Sequence, residues 1–184
     1  MTRLLAFLTN SSDIVVAESI IVLKKILQLY PGKYVDVIER LARLLDRVSD
    51  ARARASIVWV IGEYAESVPK FAPDVLRKLA LSFKQETGEV KLQVLNLGMK
   101  LHFLNTDQTS AIFRYVLELA SYDLNYDVRD KARVYQALLA NTGHLGAESR
   151  ALVLSSKPQP KFVDPSEGRQ RFILGSLSQV LNTK

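Results

Sequence analysis

Up to residue 156 the apolar positions recur with the period of an α-helix. Ala111, Ile112, Tyr115, Val116, Leu119 and Ala120 fall at i, i+1, i+4, i+5, i+8 and i+9, one stripe of a 3.6-residue period. Val75, Leu76, Leu79 and Phe83 draw a similar stripe, as do Ile38, Leu41, Leu45 and Val48. No stretch shows convincing strand alternation. Breaks are short: Pro31-Gly32 stops one helix, Pro69 and Pro73 bracket a loop, Gly88 suits a helix end, and Asn141-Thr142-Gly143 makes a turn. The pattern predicts helices over 2–9, 13–29, 34–48, 51–66, 73–86, 89–104, 107–122, 127–140 and 147–154.

The starts of these helices repeat. Asp13, Asp50, Glu89 and Asp127 each open one, at spacings of 37, 39 and 38 residues. An acid there can cap free N–H groups and complement the helix dipole. Asp50-Ala51-Arg52, Glu89-Val90-Lys91 and Asp127-Val128-Arg129 share the order acid, small apolar, base, which Asp13-Ile14-Val15 breaks at its third place. A period just under forty with two helices per unit is that of HEAT and armadillo arrays. The predicted fold is therefore all-α, a HEAT/armadillo-like solenoid of stacked antiparallel helix pairs over residues 1–156.

The helices at 13–29, 51–66 and 89–104 are apolar nearly all round, whereas those at 34–48, 73–86 and 107–122 are amphipathic. A helix that is apolar on all sides must be covered on all sides, by neighbouring repeats or by a partner. Beyond Ser156 the character changes. Residues 157–165 hold three of the six prolines and predict an extended segment. Phe172, Ile173, Leu174, Leu177, Val180 and Leu181 follow, too apolar for a free linker, and are expected to pack on the array or on a partner. Both ends look cut, as in a fragment of a longer solenoid.

Composition and charge narrow the choice. The absence of cysteine excludes disulfides and thiol chemistry. The longest apolar runs, Leu4–Leu8 and Ile57–Ile61, are five residues, against about twenty for a membrane span. The net charge of +6 divides equally between 1–156 and 157–184. Within the body the signs are mixed, as in Arg40, Arg43, Asp46, Arg47 and Asp50, which reads as a solvated helical surface. A nucleic-acid-binding helical repeat stays open on charge alone, but it would favour a single-sign stripe with interleaved aromatics.

Chemical motifs are sparse. His102 lies in an apolar helix and His144 in a glycine-flanked turn, 42 residues apart and without the further ligands a zinc site needs. There is no nucleophile elbow, phosphate loop or dinucleotide fingerprint. Glu63 and Glu66 stand at i, i+3, a pairing that reads as solvated surface before acid–base chemistry. No cofactor or metal is expected. Trp59, Gly62, Glu63 and Tyr64 form the densest unusual cluster; it reads as core, with Gly62 permitting close helix approach.

At this cluster a resemblance emerges. Ala53-Arg54-Ala55-Ser56-Ile57-Val58-Trp59-Val60-Ile61-Gly62-Glu63-Tyr64-Ala65-Glu66 resembles the signature of beta-adaptins, the large trunk subunits of vesicle-coat adaptor complexes. In order along the chain, Val15–Ser19, Asp127-Val128-Arg129-Asp130-Lys131-Ala132-Arg133, Val153–Pro158 and Leu174–Ser178 are similar to further adaptin segments. Val68–Lys78, Val90–Gly98 and Tyr122-Asp123-Leu124-Asn125-Tyr126-Asp127 look like the branch of the third adaptor complex.

The resemblance implies a non-enzymatic scaffold in a heterotetramer with a medium, a small and a second large subunit. It implies cargo sorting from Golgi or endosomes to lysosome or vacuole, on the cytoplasmic side, with peripheral membrane association through the complex and no nucleic acid or small-molecule substrate. It places the chain at the C-terminal part of a trunk, with residues 157–184 leading toward a hinge. Arg52, Lys91 and Arg129 at the repeat starts, with Arg54 and Arg133, are expected to face partners. A coatomer or nuclear-transport type scaffold is the alternative within the same fold.

Overall fold

A computed structural model describes residues 2–10, 12–30, 34–140 and 144–158. The Pro31-Gly32 and Asn141–Gly143 turns and the apolar run Phe172–Leu181 lie outside these residues, as does most of the expected extended tail. The described residues form α1 (Thr2–Phe7), α2 (Asp13–Leu29), α3 (Val35–Leu44), α4 (Ala51–Glu63), α5 (Phe71–Ser82), α6 (Gly88–Leu104), α7 (Thr106–Ser121), α8 (Tyr126–Ala140) and α9 (His144–Leu154). Single 3-10 turns, Ala65–Ser67 and Phe83–Gln85, follow α4 and α5. Among the described residues there is no strand, and no helix is long and apolar enough to cross a membrane.

The chain is an all-α solenoid. α2, α4, α6 and α8 stack in sequence as one layer, and α3, α5 and α7 form a second layer against it. The α4–α6 junction is the most extensive. There Ile57, Val58, Ile61, Val94, Leu95, Leu97 and Met99 are fully buried. Burying each such side chain contributes about 1.5–3 kcal/mol, so this junction is the stable centre of the array. The all-round apolar character of the first layer is thus met mostly from within. α4 is enclosed by α2, α3 and α6, while α2 leaves Ile14, Val15 and Val22 exposed.

Boundaries moved where local chemistry overrode the stripe. α5 begins at Phe71 and takes Pro73 into its first turn, where a missing N–H costs nothing. α3 ends at Leu44, yet Leu45 and Val48 stay buried through the following turn. Of the four repeat-start acids, Asp50 caps with its side chain, accepting from Ala53 N at 2.8 Å. Asp13, Glu89 and Asp127 sit inside the first turn, placed to act on the helix dipole.

The last helix departs from the repeat. α9 packs on α6 and α8. Gly98 of α6 meets Phe113 of α7. Asn96 and Lys100, two residues to either side and therefore on the opposite face, line a cleft beneath α9. α9 thus crosses the free face of the first layer and brings Lys157 back to α4, where its backbone N–H donates to Glu63 Oε1 at 3.4 Å.

Candidate functional site

Two sets of polar residues are organised by the stacking. The first is a ladder between repeats. Arg54 donates to both carboxylate oxygens of Glu86 and to the carbonyls of Leu45 (2.6 Å) and Val48 (3.1 Å). The side chains of Arg54 and Glu86 are only 18% and 9% exposed. One unit later, Lys91 Nζ meets Asp123 Oδ2 at 2.6 Å, with side chains 12% and 10% exposed. In the next unit Arg129 Nη1 donates to the Asp123 carbonyl at 2.9 Å, as Arg54 does to that of Val48, and its guanidinium lies 4.5 Å from the Tyr126 ring centre. Arg54, Lys91 and Arg129 are therefore one structural position repeated.

Burial pushes the Asp123 carboxyl up. The Lys91 hydrogen bond, the Asn125 backbone N–H and the Lys91 and Arg129 charges outweigh it and hold the group below the usual carboxylate range. The structure turns Arg54 and Lys91 inward, because each must satisfy an acid of the adjoining unit at a low-dielectric seam. Arg52 and Arg133 point outward, Arg52 3.7 Å from Glu18 and Arg133 3.1 Å from Asp130. Geometry does not gather the five basic residues into one patch.

The second set lines the free face of the first layer. Trp59, Gly62, Glu63, Lys100 and Lys157 are shared walls of two clefts of about 370 and 440 Å3. The first runs under α9 past Asn96 and Tyr135, and the second opens toward Gln28, Tyr64 and Leu104. Glu63 pairs with Lys100. Glu66 is an exposed member of the following 3-10 turn, so the two carboxylates do not act together. Trp59 is half-buried, with Lys24 Nζ 4.7 Å from its ring centre, and burial lowers the Lys24 ammonium pKa. Tyr64 OH donates to the Leu27 carbonyl at 2.8 Å and Tyr135 OH to Asn96 Oδ1 at 2.5 Å, each tying one repeat to the previous one.

His102 packs between Phe103 and Phe113, at centroid distances of 5.7 and 6.1 Å. Burial, then the Arg114 charge, hold its imidazole below the usual pKa. His144 is the first residue of α9, not a turn residue. Among the described residues no three His, Asp or Glu side chains converge as metal ligands. The arrangement offers surfaces for docking, with Arg54, Lys91 and Lys100 committed to holding the stack.

Residues 1–143 match the family described as "Adaptin N terminal region". The chain belongs to the adaptin family. Among adaptins, it is 49% identical to AP-3 complex subunit beta-2 of Mus musculus and 46% identical to AP-3 complex subunit beta-1 of Homo sapiens, in both cases over all of this chain. AP-1 complex subunit beta-1 of Homo sapiens is 34% identical over 86% of the chain. The chain spans 17% of the length of the two AP-3 relatives. The expected position, a C-terminal part of the trunk, is corrected: the region matched is the adaptin N-terminal region. Period and stripe could not fix that position, because every unit of such an array meets only its neighbours and carries the same packing code.

Proposed function

We propose that this chain is a non-enzymatic scaffold segment of the beta subunit of a vesicle-coat adaptor complex. It assembles with a medium, a small and a second large subunit and serves cargo sorting from Golgi or endosomes toward lysosome or vacuole. Its membrane association is peripheral and comes through the complex, on the cytoplasmic side. No cofactor, nucleic acid or small-molecule substrate enters this reading. The observation that carries it is identity of 46–49% along the whole chain to beta subunits of the AP-3 complex. The solenoid supports it, since its buried ion pairs are spent on repeat-to-repeat ties and its faces are extended.

Within this proposal the outward Arg52 and Arg133 contact partners directly. Arg54, Lys91 and Arg129 act through the seam by fixing repeat geometry. The experiment mixes this chain with purified medium, small and second large adaptor subunits and captures through the chain. Stoichiometric co-purification is the expected result. A chain that stays alone in that mixture, or that binds RNA with a steep salt dependence, overturns the reading. Arg52→Glu and Arg133→Glu should weaken capture, and unchanged capture removes those two residues from the interface.

A further inference from the structure

The match to the adaptin N-terminal region ends at residue 143, and α9 begins at His144. α9 also leaves the two-layer order, lying on α6 and α8 with its following residues led to α4. It is lightly seated there. Among its described side chains, Ser149 is buried and Val153, four residues on, packs against the core, so its inward line is a serine and a valine. Leu152 is 65% exposed. α6, by contrast, buries Val90, Val94, Leu95, Leu97, Met99 and Leu101. Inward residues this small leave the cleft of about 370 Å3 beneath α9, far larger than the voids of a close-packed interior.

The floor of that cleft is apolar and crosses three helices of the first layer. Val58 and Trp59 of α4, Leu97 of α6, and Val134 and Leu138 of α8 line it. Val134 stays 53% exposed with α9 in place. α9 itself shows that this face accepts a helix, and the cleft shows that α9 does not fill it.

The charges around the cleft are one-sided. Glu63 of α4 and Lys100 of α6 neutralise each other. Lys24 of α2 lies on the Trp59 ring, Lys131 Nζ of α8 is 5.0 Å from the Tyr135 ring centre, and Lys157 Nζ donates to the Ser155 hydroxyl at 3.3 Å. Among the described residues none of these three cations is paired with an acid. Glu66 is the one further acid on either cleft. Asp130 of α8 is paired with Arg133, and on α9 the exposed Glu148 and Arg150 offset each other. The residues after α9 therefore add a cation, Lys157, to a face that is already positive. Such a face suits an occupant with carboxylates on its flanks.

We infer that this face is a docking groove for an amphipathic helix flanked by acids, and that α9 is a displaceable strap that covers the groove while that partner is absent. Tethering gives α9 an effective concentration on the order of millimolar, so a light seat holds it in place and still yields to a helix that fills the cleft better.

The test places a photo-crosslinking amino acid at position 138 of the full chain. In the parent chain it should crosslink to α9. The probe is a peptide of residues 144–158 carrying Ser149→Leu, Arg150→Glu and Lys157→Glu, compared with the same peptide in the parent sequence. A chain with Val153→Asp, which charges the inward side of the strap, should label the probe about tenfold more than the parent chain does. Val153→Ala trims the same contact and should move labelling the same way, so the result does not depend on one variant folding. Leu152→Asp, on the exposed side of α9, should change nothing. At low salt the probe should be labelled about threefold more than the parent-sequence peptide, and the gap should close in about 1 M salt. Equal labelling by the parent and both Val153 variants, or a position 138 that never crosslinks to α9, overturns the strap. Equal labelling of the two peptides at low salt overturns the acid-flanked partner.

Discussion

Arg54 and Glu86 carry opposite charges into a seam that almost excludes water. Removing one partner leaves the other desolvated, so Arg54→Ala should destabilise the chain by about 2–4 kcal/mol in urea unfolding. Arg77→Ala, which breaks an exposed pair with Asp74, should cost below about 1 kcal/mol. A second prediction concerns Tyr135, whose phenol is pushed up to about 12 by burial. Its folded pKa lies above the ordinary 10, so its contribution is present below pH 10 and is lost as pH rises from 10 toward 12. Melting temperature should fall over that window, and Tyr135→Phe should flatten the fall. The sequence motif sets Arg52 beside Lys91 and Arg129, but the structure puts Arg54 in that place. α4 starts one residue after its acid Asp50, whereas α6 and α8 start one residue before Glu89 and Asp127, so Arg54, Lys91 and Arg129 are each the fourth residue of their helix. The burial of Arg54 and Lys91 is not legible in the sequence either, because the acids they meet, Glu86 and Asp123, stand 32 residues away.

At the scale of helices, two glycines that look alike in sequence behave differently. In the sequence Gly62 suggests close helix approach, yet a Cβ there would sit 3.6 Å from Leu97, an ordinary contact. A Cβ at Gly98 would lie 2.3 Å from Cδ2 of Phe113, a fully buried ring with nowhere to move. Gly98→Ala should therefore destabilise by about 1–3 kcal/mol. Gly62→Ala should be neutral or stabilising by up to about 1 kcal/mol through helix propensity. Chemical denaturation of the two variants side by side checks the pair. The existence and order of the helices were readable because each carries its own stripe. α9 was readable as a helix but not as one that crosses the free face, since its short apolar run fits either layer.

Across the molecule, stability should follow the stacking. α4 and α6 are enclosed by neighbours, whereas α1 and α9 lie at the margins of the array. Hydrogen exchange should find the amides of α4 and α6 slowest, with α1 and α9 opening at least about 2 kcal/mol more easily. Uniform protection along the chain would contradict a solenoid whose units meet only their neighbours. The sequence by itself determined the helical class, the period near 37–39 and the family, because these rest on local periodicity and on contiguous motifs. Tertiary structure alone decided which basic residues are buried, which glycine is crowded and how Lys157 returns to Glu63. Each of those depends on atoms brought together from distant points of the chain, and no local pattern encodes that meeting.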